Sequence, residues 1–382
     1  MRHWIFPKIF PAALTALALL AASPALAGPS ILFDVKTGQV LEHEDAFKRW
    51  YPASLTKLMT AYVTFRAIDA GELTLQSPIK VTKNAAAEPP SKMGYKPGSV
   101  MTLDNALKMM LIKSANDIAA AVGENVGGTM PAFAARMNAE ARRLGMTGSH
   151  FTNANGLHDP ENYTTARDLA LLVRAIRVEY PQYASYFAIE GLRAGKARMR
   201  SYNLLVGRFD GADGMKTGFV CASGYNLIGS ATRNGRTLAA VVLGQVTPQG
   251  RADKAADLLA QGFATSTSGT LTVAGLIPYG EGQTVATDMR EAACGAQAAS
   301  ERTPIRDKDG KLLLKSSHIK DMTREPELVT VSLGGASGPV PAAFAAIEAE
   351  RNYADVPIPT WRPDMPIPGS PQQSAQGDDG RM

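Results

Sequence analysis

Histidine is scarce and scattered in this 382-residue sequence: five in all, with His43, His150, His158 and His318 far apart and no His-Glu-x-x-His among them. That pattern argues against a helix-borne metal-peptidase site. A lone histidine such as His158, in a Gly-Leu-His-Asp-Pro loop, reads as a turn residue rather than a ligand. No Gly-x-Ser-x-Gly elbow occurs, so the usual frame of a Ser-His-Asp hydrolase is missing. Excess charge is also slight, +5 from 40 basic and 35 acidic residues, and calls for no nucleic-acid partner. No apolar run is long enough to span a bilayer, no internal repeat is evident, and the C-terminus carries no basic amphipathic helix. Cysteine is limited to Cys221 and Cys294.

What is present begins with a leader. Arg2 and Lys8 form a basic start, Ala12 to Ala22 an apolar stretch, and Ala25-Leu26-Ala27 a small-x-small cleavage site, so residues 1–27 read as a secretory signal peptide. With no cysteine at the cut, a lipid anchor is not expected there. Removing the leader takes away two basic residues and leaves a net charge of +3. In an oxidising compartment Cys221 and Cys294 either pair or remain two buried thiols, and spacing leaves both open.

From Ser30 to His43 a hairpin is expected, turning at Lys36-Thr37-Gly38. Helical patterning follows over Ala53–Ala70, Thr102–Lys113, Asp117–Val126 and Phe133–Leu144. A further helix opens at Thr165-x-x-Asp168, a capping box one methylene short, and runs through Ile176. After Gly207 the pattern predicts strands over Met215–Val220, Gly224–Thr232 and Thr237–Leu243, with Asn234-Gly235 as a hairpin turn, then a helix over Arg251–Ala264. Strands at both chain ends with helices between them imply an α/β fold: an antiparallel sheet flanked by helices, with a helical insertion. Residues 28–268 would form this domain. Residues 269–355 would form a small region that could be β-rich, from Leu271–Val273, Thr284–Ala286 and Leu328–Val331. Residues 356–382 would be a Pro-rich disordered tail.

Three constellations carry chemistry. Ser54-Leu55-Thr56-Lys57 starts a helix, and the three-residue spacing puts an amine beside a hydroxyl on one face. A serine needs such a base to act as a nucleophile, and the lysine must be neutral to serve. The spacing alone is weak, because Ser77-Pro78-Ile79-Lys80 and Ser317-His318-Ile319-Lys320 repeat it. Ser114-Ala115-Asn116 sits at a break between two helices, where it either projects into a cleft or caps the second helix. Lys216-Thr217-Gly218 lies on a strand, with room for a substrate along the strand edge. Lys36-Thr37-Gly38 is identical in letters but falls in a turn.

In this order and setting the three constellations resemble those of active-site-serine penicillin-binding enzymes and serine β-lactamases. Within that group the chain is most similar to low-molecular-mass D-alanyl-D-alanine carboxypeptidases. The likeness runs from about Pro29 to Phe263, through Pro52-Ala53-Ser54-Leu55-Thr56-Lys57-Leu58-Met59-Thr60, Ser114-Ala115-Asn116-Asp117, Asn155-Gly156-Leu157, Gly214-Met215-Lys216-Thr217-Gly218 and Gly224-Tyr225-Asn226-Leu227. The resemblance implies Ser54 as the acylated nucleophile, Lys57 as general base and Ser114 as proton relay. It implies Asn116 for the substrate amide, Lys216 and Thr217 for the terminal carboxylate region, Gly218 as a further substrate-binding position, and the N–H groups of Ser54 and Phe219 as oxyanion hole. Arg251 takes the place of a carboxylate-binding arginine, unless it forms a surface salt bridge. No cofactor or metal is implied.

The expected partners are peptidoglycan stem peptides, with β-lactams as covalent inhibitors; the expected location is the periplasm or the outer face of the cytoplasmic membrane, with membrane association left open. A β-lactamase is disfavoured by the lack of a Glu-x-x-Leu-Asn stretch after Ser114. An endopeptidase on peptide cross-links is hardly separable from a carboxypeptidase by sequence. A non-catalytic wall-binding or penicillin-sensing module would not need an intact Ser54–Lys57 pair. Phe219-Val220-Cys221 follows the third motif where some relatives are polar, and the C-terminal third does not match the family's β-rich stalk.

Overall fold

The computed structural model describes residues 28–265, 269–296, 298, 306–308, 312–346 and 348. The expected leader and the Pro-rich segment from Val356 lie outside the described residues. The chain opens with β1 (Ser30–Asp34) and β2 (Val40–Glu44). One turn of 3-10 helix (Ala53–Leu55) then runs into α1 (Thr56–Asp69). Next come β3 (Pro78–Lys80), α2 (Lys83–Ala87), β4 (Val100–Thr102), α3 (Leu103–Ile112), α4 (Asn116–Gly127), α5 (Met130–Arg143) and α6 (Ala166–Glu179). The hairpin β5 (Gly191–Ala194) and β6 (Ala197–Arg200) precedes the meander β7 (Ala212–Val220), β8 (Gly224–Arg233) and β9 (Arg236–Gln245). The last elements are α7 (Pro248–Ala264), α8 (Arg290–Cys294) and β10 (Leu328–Thr330).

Five strands form one sheet in the order β2-β1-β9-β8-β7, with every neighbouring pair antiparallel. The first strand therefore pairs with the last of the meander, Ser30 opposite Val242, and the helical segment is an insertion between them, as the sequence pattern implies. Strand alternation builds two cores, because successive side chains leave a pleated sheet on opposite faces. Ile31, Phe33, Ala239, Val241 and Leu243 point into the larger core with α1 and α6. Leu32, Leu238, Ala240 and Val242 point into the smaller one against Ala252, Ala255, Ala256 and Leu259 of α7. β7 is left as an edge strand, and the site lies along it.

Helix α1 is more enclosed than a one-faced pattern suggests, with eleven of its fourteen residues buried, Lys57 among them. At α6 the Thr165 hydroxyl accepts from the Asp168 N–H at 3.0 Å, as the capping reading expects. The shorter Asp168 carboxylate turns elsewhere, accepting from the Gly148 N–H and the Ser149 hydroxyl, both at 2.8 Å. The β3–β4 pair, α2 and the β5–β6 hairpin were not expected. Elements of three to five residues are too short to show a period.

Among the described residues after 269 a separate β-rich region does not form. The segment is a strap held to the main domain. The Val40 N–H donates to Leu271 O and the Val273 N–H to Gly38 O. β10 adds in parallel to β5, Gly334 N–H donates to Val100 O, and Thr284–Ala286 forms no strand. Leu271–Val273 and Leu328–Val331 therefore look strand-like because they borrow an edge from the main domain. Cys221 and Cys294 are disulfide-bonded, with 5.5 Å between their Cα atoms, tying α8 to the β7–β8 turn. Closing a loop of 73 residues restricts the unfolded chain, so Cys294→Ser is expected to cost about 2–4 kcal/mol. Urea unfolding with and without reductant measures it; wild type should lose the same amount on reduction and the variant nothing further.

Candidate active site

The 3-10 turn that holds Ser54 is fixed by its neighbours rather than by its own sequence. Trp50 is buried and donates its indole N–H to Ser223 O at 2.9 Å. Asn226 of β8 donates to the carbonyls of Tyr51 and Pro52 at 3.0 and 3.2 Å. Ala53 takes φ +47°, a left-handed value uncommon outside glycine. Two glycines let other chain segments come close to the turn. A Cβ on Gly218 would meet Pro52 O at 2.9 Å, so a side chain there would push β7 off the nucleophile. At Gly156, with φ +81°, a Cβ would lie 1.8 Å from Ala53 O. Gly156→Ala is therefore expected to destabilise the fold by about 2–4 kcal/mol, through clash and backbone strain together, read as a lowered urea midpoint.

Lys57 reaches back along α1 and donates to Ser54 Oγ at 2.9 Å. It also donates to Asn116 Oδ1 at 2.8 Å and to Asn155 O at 2.6 Å. The amine is fully buried, and that burial brings its pKa down from the usual lysine range to about 7, against a smaller upward pull from Glu88 and Asp117. A pKa near neutrality makes the amine available as the free base that an alcohol needs as a partner.

Ser114 stands between α3 and α4 with φ +60°, and Lys216 of β7 donates to its Oγ at 2.9 Å. Neither Ser114 nor Asn116 caps α4: Ala115 is the N-cap residue and no side chain bonds there. The Asn116 carboxamide is instead partly committed within the protein, accepting from Lys57 and donating to Pro89 O at 3.0 Å. Lys216 is fully buried and its pKa is held well below normal, chiefly by burial and then by the positive charges of Lys57 and Arg251. Arg251 is also buried, so the surface salt-bridge reading fails. It donates to Gly218 O at 3.0 Å and Asn226 O at 3.2 Å, with its guanidinium 5.5 Å from the Tyr225 ring centroid. Burial lowers its pKa to about 10, so it remains a cation at neutral pH.

These side chains border one cavity of about 440 Å³, with Ser54, Ser114 and Asn116 on one side and Thr217, Gly218, Phe219 and Arg251 on the other. Lys57 and Lys216 stand behind this wall, joined to Ser54 and Ser114. All nine residues singled out in the sequence thus converge on one place. The rest of the lining had no site role in the sequence reading: Gly156, Leu157 and Tyr225 stand in stretches quoted for the resemblance, and Pro90, Ser91, Tyr202, Val220 and Pro248 were not assigned. Phe219 stacks on Tyr225 with centroids 4.1 Å apart, which makes one wall apolar where a polar side chain would offer a hydrogen bond. Asn155 matters through its backbone carbonyl, which no side-chain motif can signal. A nucleophile with a neutral-capable base and a pocket bordered by a buried cation, Arg251, can be acylated by a substrate that ends in a carboxylate. No group of acidic, histidine or cysteine side chains suited to a metal ion occurs among the described residues. No helix among them is long and apolar enough to cross a membrane.

Comparison with known proteins agrees with this geometry. The model of the peptidase S11 family, described as D-alanyl-D-alanine carboxypeptidase, matches residues 20–247. The D-alanyl-D-alanine carboxypeptidase DacC of Escherichia coli is 35% identical over 240 residues, which cover 61% of this chain and 60% of that protein. The chain therefore matches about three-fifths of that relative's length. The crystal structure of the D-alanyl-D-alanine carboxypeptidase DacD from Francisella tularensis superposes with a TM-score of 0.61 at 31% identity, covering 62% of this chain and 70% of that one. Penicillin-binding protein D2 of Listeria monocytogenes in its cefotaxime-bound form gives 0.57 at 30% identity, covering 62% and 97%.

Proposed function

The chain belongs to the D-alanyl-D-alanine carboxypeptidase family of peptidase S11, and we propose that it removes the terminal D-alanine from peptidoglycan stem peptides through an acyl-enzyme on Ser54. The observation that carries this reading is the Lys57 amine, buried, 2.9 Å from Ser54 Oγ and able to be neutral near pH 7. Lys57 takes the hydroxyl proton as Ser54 Oγ bonds to the carbonyl carbon of the penultimate D-alanine. The N–H groups of Ser54 and Phe219 stabilise the oxyanion. The proton then passes by way of Ser114 to the departing amine, the C–N bond breaks, and free D-alanine leaves. Water next attacks the ester carbonyl, giving its proton to Lys57, and Ser54 departs as the restored alcohol.

Lys216, Thr217 and Arg251 would bind the terminal carboxylate. An anion among them would raise the Lys216 pKa and draw that residue toward its charged form. Asn116 keeps one N–H free for the substrate amide while it orients Lys57. A β-lactam would acylate the same serine. Its leaving nitrogen stays tethered, so the adduct blocks the water and persists. Substrates in the wall require export, and two features support it: the leader pattern of residues 1–27 and the Cys221–Cys294 bond, which suits an oxidising compartment.

Intact-mass measurement after incubation with penicillin, and separately with a peptide ending in D-Ala-D-Ala, tests the reading. One stable penicillin adduct and release of D-alanine are expected. A folded protein that gives no adduct and releases no D-alanine overturns it, and rapid penicillin turnover would make the protein a β-lactamase instead.

A further inference from the structure

The second Lys-Thr-Gly, at residues 36–38, has no part in the chemistry above, yet it borders a groove of about 650 Å³. The groove lies at the end of the sheet away from Ser54, where Lys36 and Thr37 of the β1–β2 turn meet Gly235 of the β8–β9 turn, Arg236 at the start of β9 and Arg177 of α6. The acids here are already engaged. Asp213 accepts from Arg177 Nη2 at 2.8 Å, and also from the Ser230 and Thr232 hydroxyls. Asp34 is buried, receives the Thr37 N–H and hydroxyl, and lies 3.3 Å from Arg236 Nε. Arg236 Nη1 donates to the carbonyls of Gly262 and Thr265.

After these bonds, donors remain. Arg177 has a side chain only 10% exposed, and its Nη1 is buried with no hydrogen-bond partner. Nη2 of Arg236 is in the same state, as is Nε of Arg174 one turn earlier on α6, whose Nη2 donates to Lys36 O. Buried donors are rarely left unmatched. Two of them belong to guanidinium groups that line the groove, Arg177 and Arg236, with the exposed Lys36 amine at its rim; Arg174 lies outside the lining and bonds to Lys36 O. The three cations of the lining, Lys36, Arg177 and Arg236, set against Asp34 and the Arg177-bound Asp213 leave an excess of positive charge.

We propose that this groove binds a phosphate group, either free phosphate or a small phosphate ester. Donors arrive from α6, from β9 and from the β1–β2 turn, that is, from several directions around a wide space. A carboxylate offers two oxygens in one plane, whereas phosphate offers three or more oxygens arranged tetrahedrally, each a strong acceptor for guanidinium. The inference does not depend on the acyl-transfer reading.

Calorimetric titration of the full chain, in phosphate-free buffer at constant ionic strength, tests it with inorganic phosphate and with glycerol 3-phosphate. Saturable one-to-one binding in the millimolar range or tighter is expected. Arg177→Gln should weaken it at least tenfold and Lys36→Gln about threefold to tenfold, with penicillin acylation unchanged in both. Binding of the ester alone would identify an ester as the ligand; binding of both would identify the phosphate group itself. No saturable binding by wild type overturns the proposal. So does equal binding by wild type and Lys36→Gln, a surface change that decides the matter even if Arg177→Gln fails to fold.

Discussion

Ser54→Ala is expected to leave a folded protein that forms no penicillin adduct and releases D-alanine about 10⁴–10⁶-fold more slowly than wild type. The size follows from the arrangement. Among the described residues Ser54 is the only hydroxyl bonded to the Lys57 amine, and Ser114 bonds to Lys216 instead, so none of them puts a second nucleophile in place. Stability should hardly change, because Ser54 is partly exposed in the cavity and its loss removes one hydrogen bond. Intact mass and a D-alanine release assay read the result, with thermal unfolding as the control. A penicillin adduct that survives in Ser54→Ala would show that another residue is acylated.

Lys57→Met should slow acylation by about 10²–10⁴-fold, the usual contribution of a positioned base, while penicillin still ends on Ser54. Methionine fills much the same volume. Asn116 Oδ1 and Asn155 O each lose a donor, a cost of about 1–3 kcal/mol if neither finds another. A pH profile separates a base from a structural group. The neutral amine is the active form, and burial brings its pKa to about 7, so wild-type acylation should rise with pH up to about 7 and then level off. In Lys57→Met that rise should vanish. A variant that keeps the same profile would assign the titration to another group and remove Lys57 from the role of base.

Much of the fold was legible because it rests on local patterning. The β1–β2 hairpin, the α3–α4 break at Ser114 and the β7–β9 meander follow from turn residues and from apolar periods of two or 3.6. α6 shows the limit of such reading. Its Thr165 cap was legible, yet the destination of the Asp168 carboxylate depends on Gly148 and Ser149, which only folding brings near. The pairing partners of the strap after residue 269 were hidden for the same reason. Leu271–Val273 and Leu328–Val331 pair with edges far off in sequence, and no local pattern names the partner.

For Ser54 and Lys57 the sequence by itself determined which residue types could do chemistry and, through the order of three motifs, which copies to trust. It could not set the properties of the amine. A lysine three residues after a serine is an ordinary surface cation unless the helix carrying it is enclosed. Enclosure comes from α1 being packed on nearly every side, with Asn116 and Asn155 aimed at the amine. Tertiary structure likewise decided that Arg251 is a buried cavity cation rather than a surface one, and that Cys221 and Cys294 meet. Burial, desolvation and distance between remote segments are sums over the whole packed chain, so the residues that feel them cannot reveal them alone.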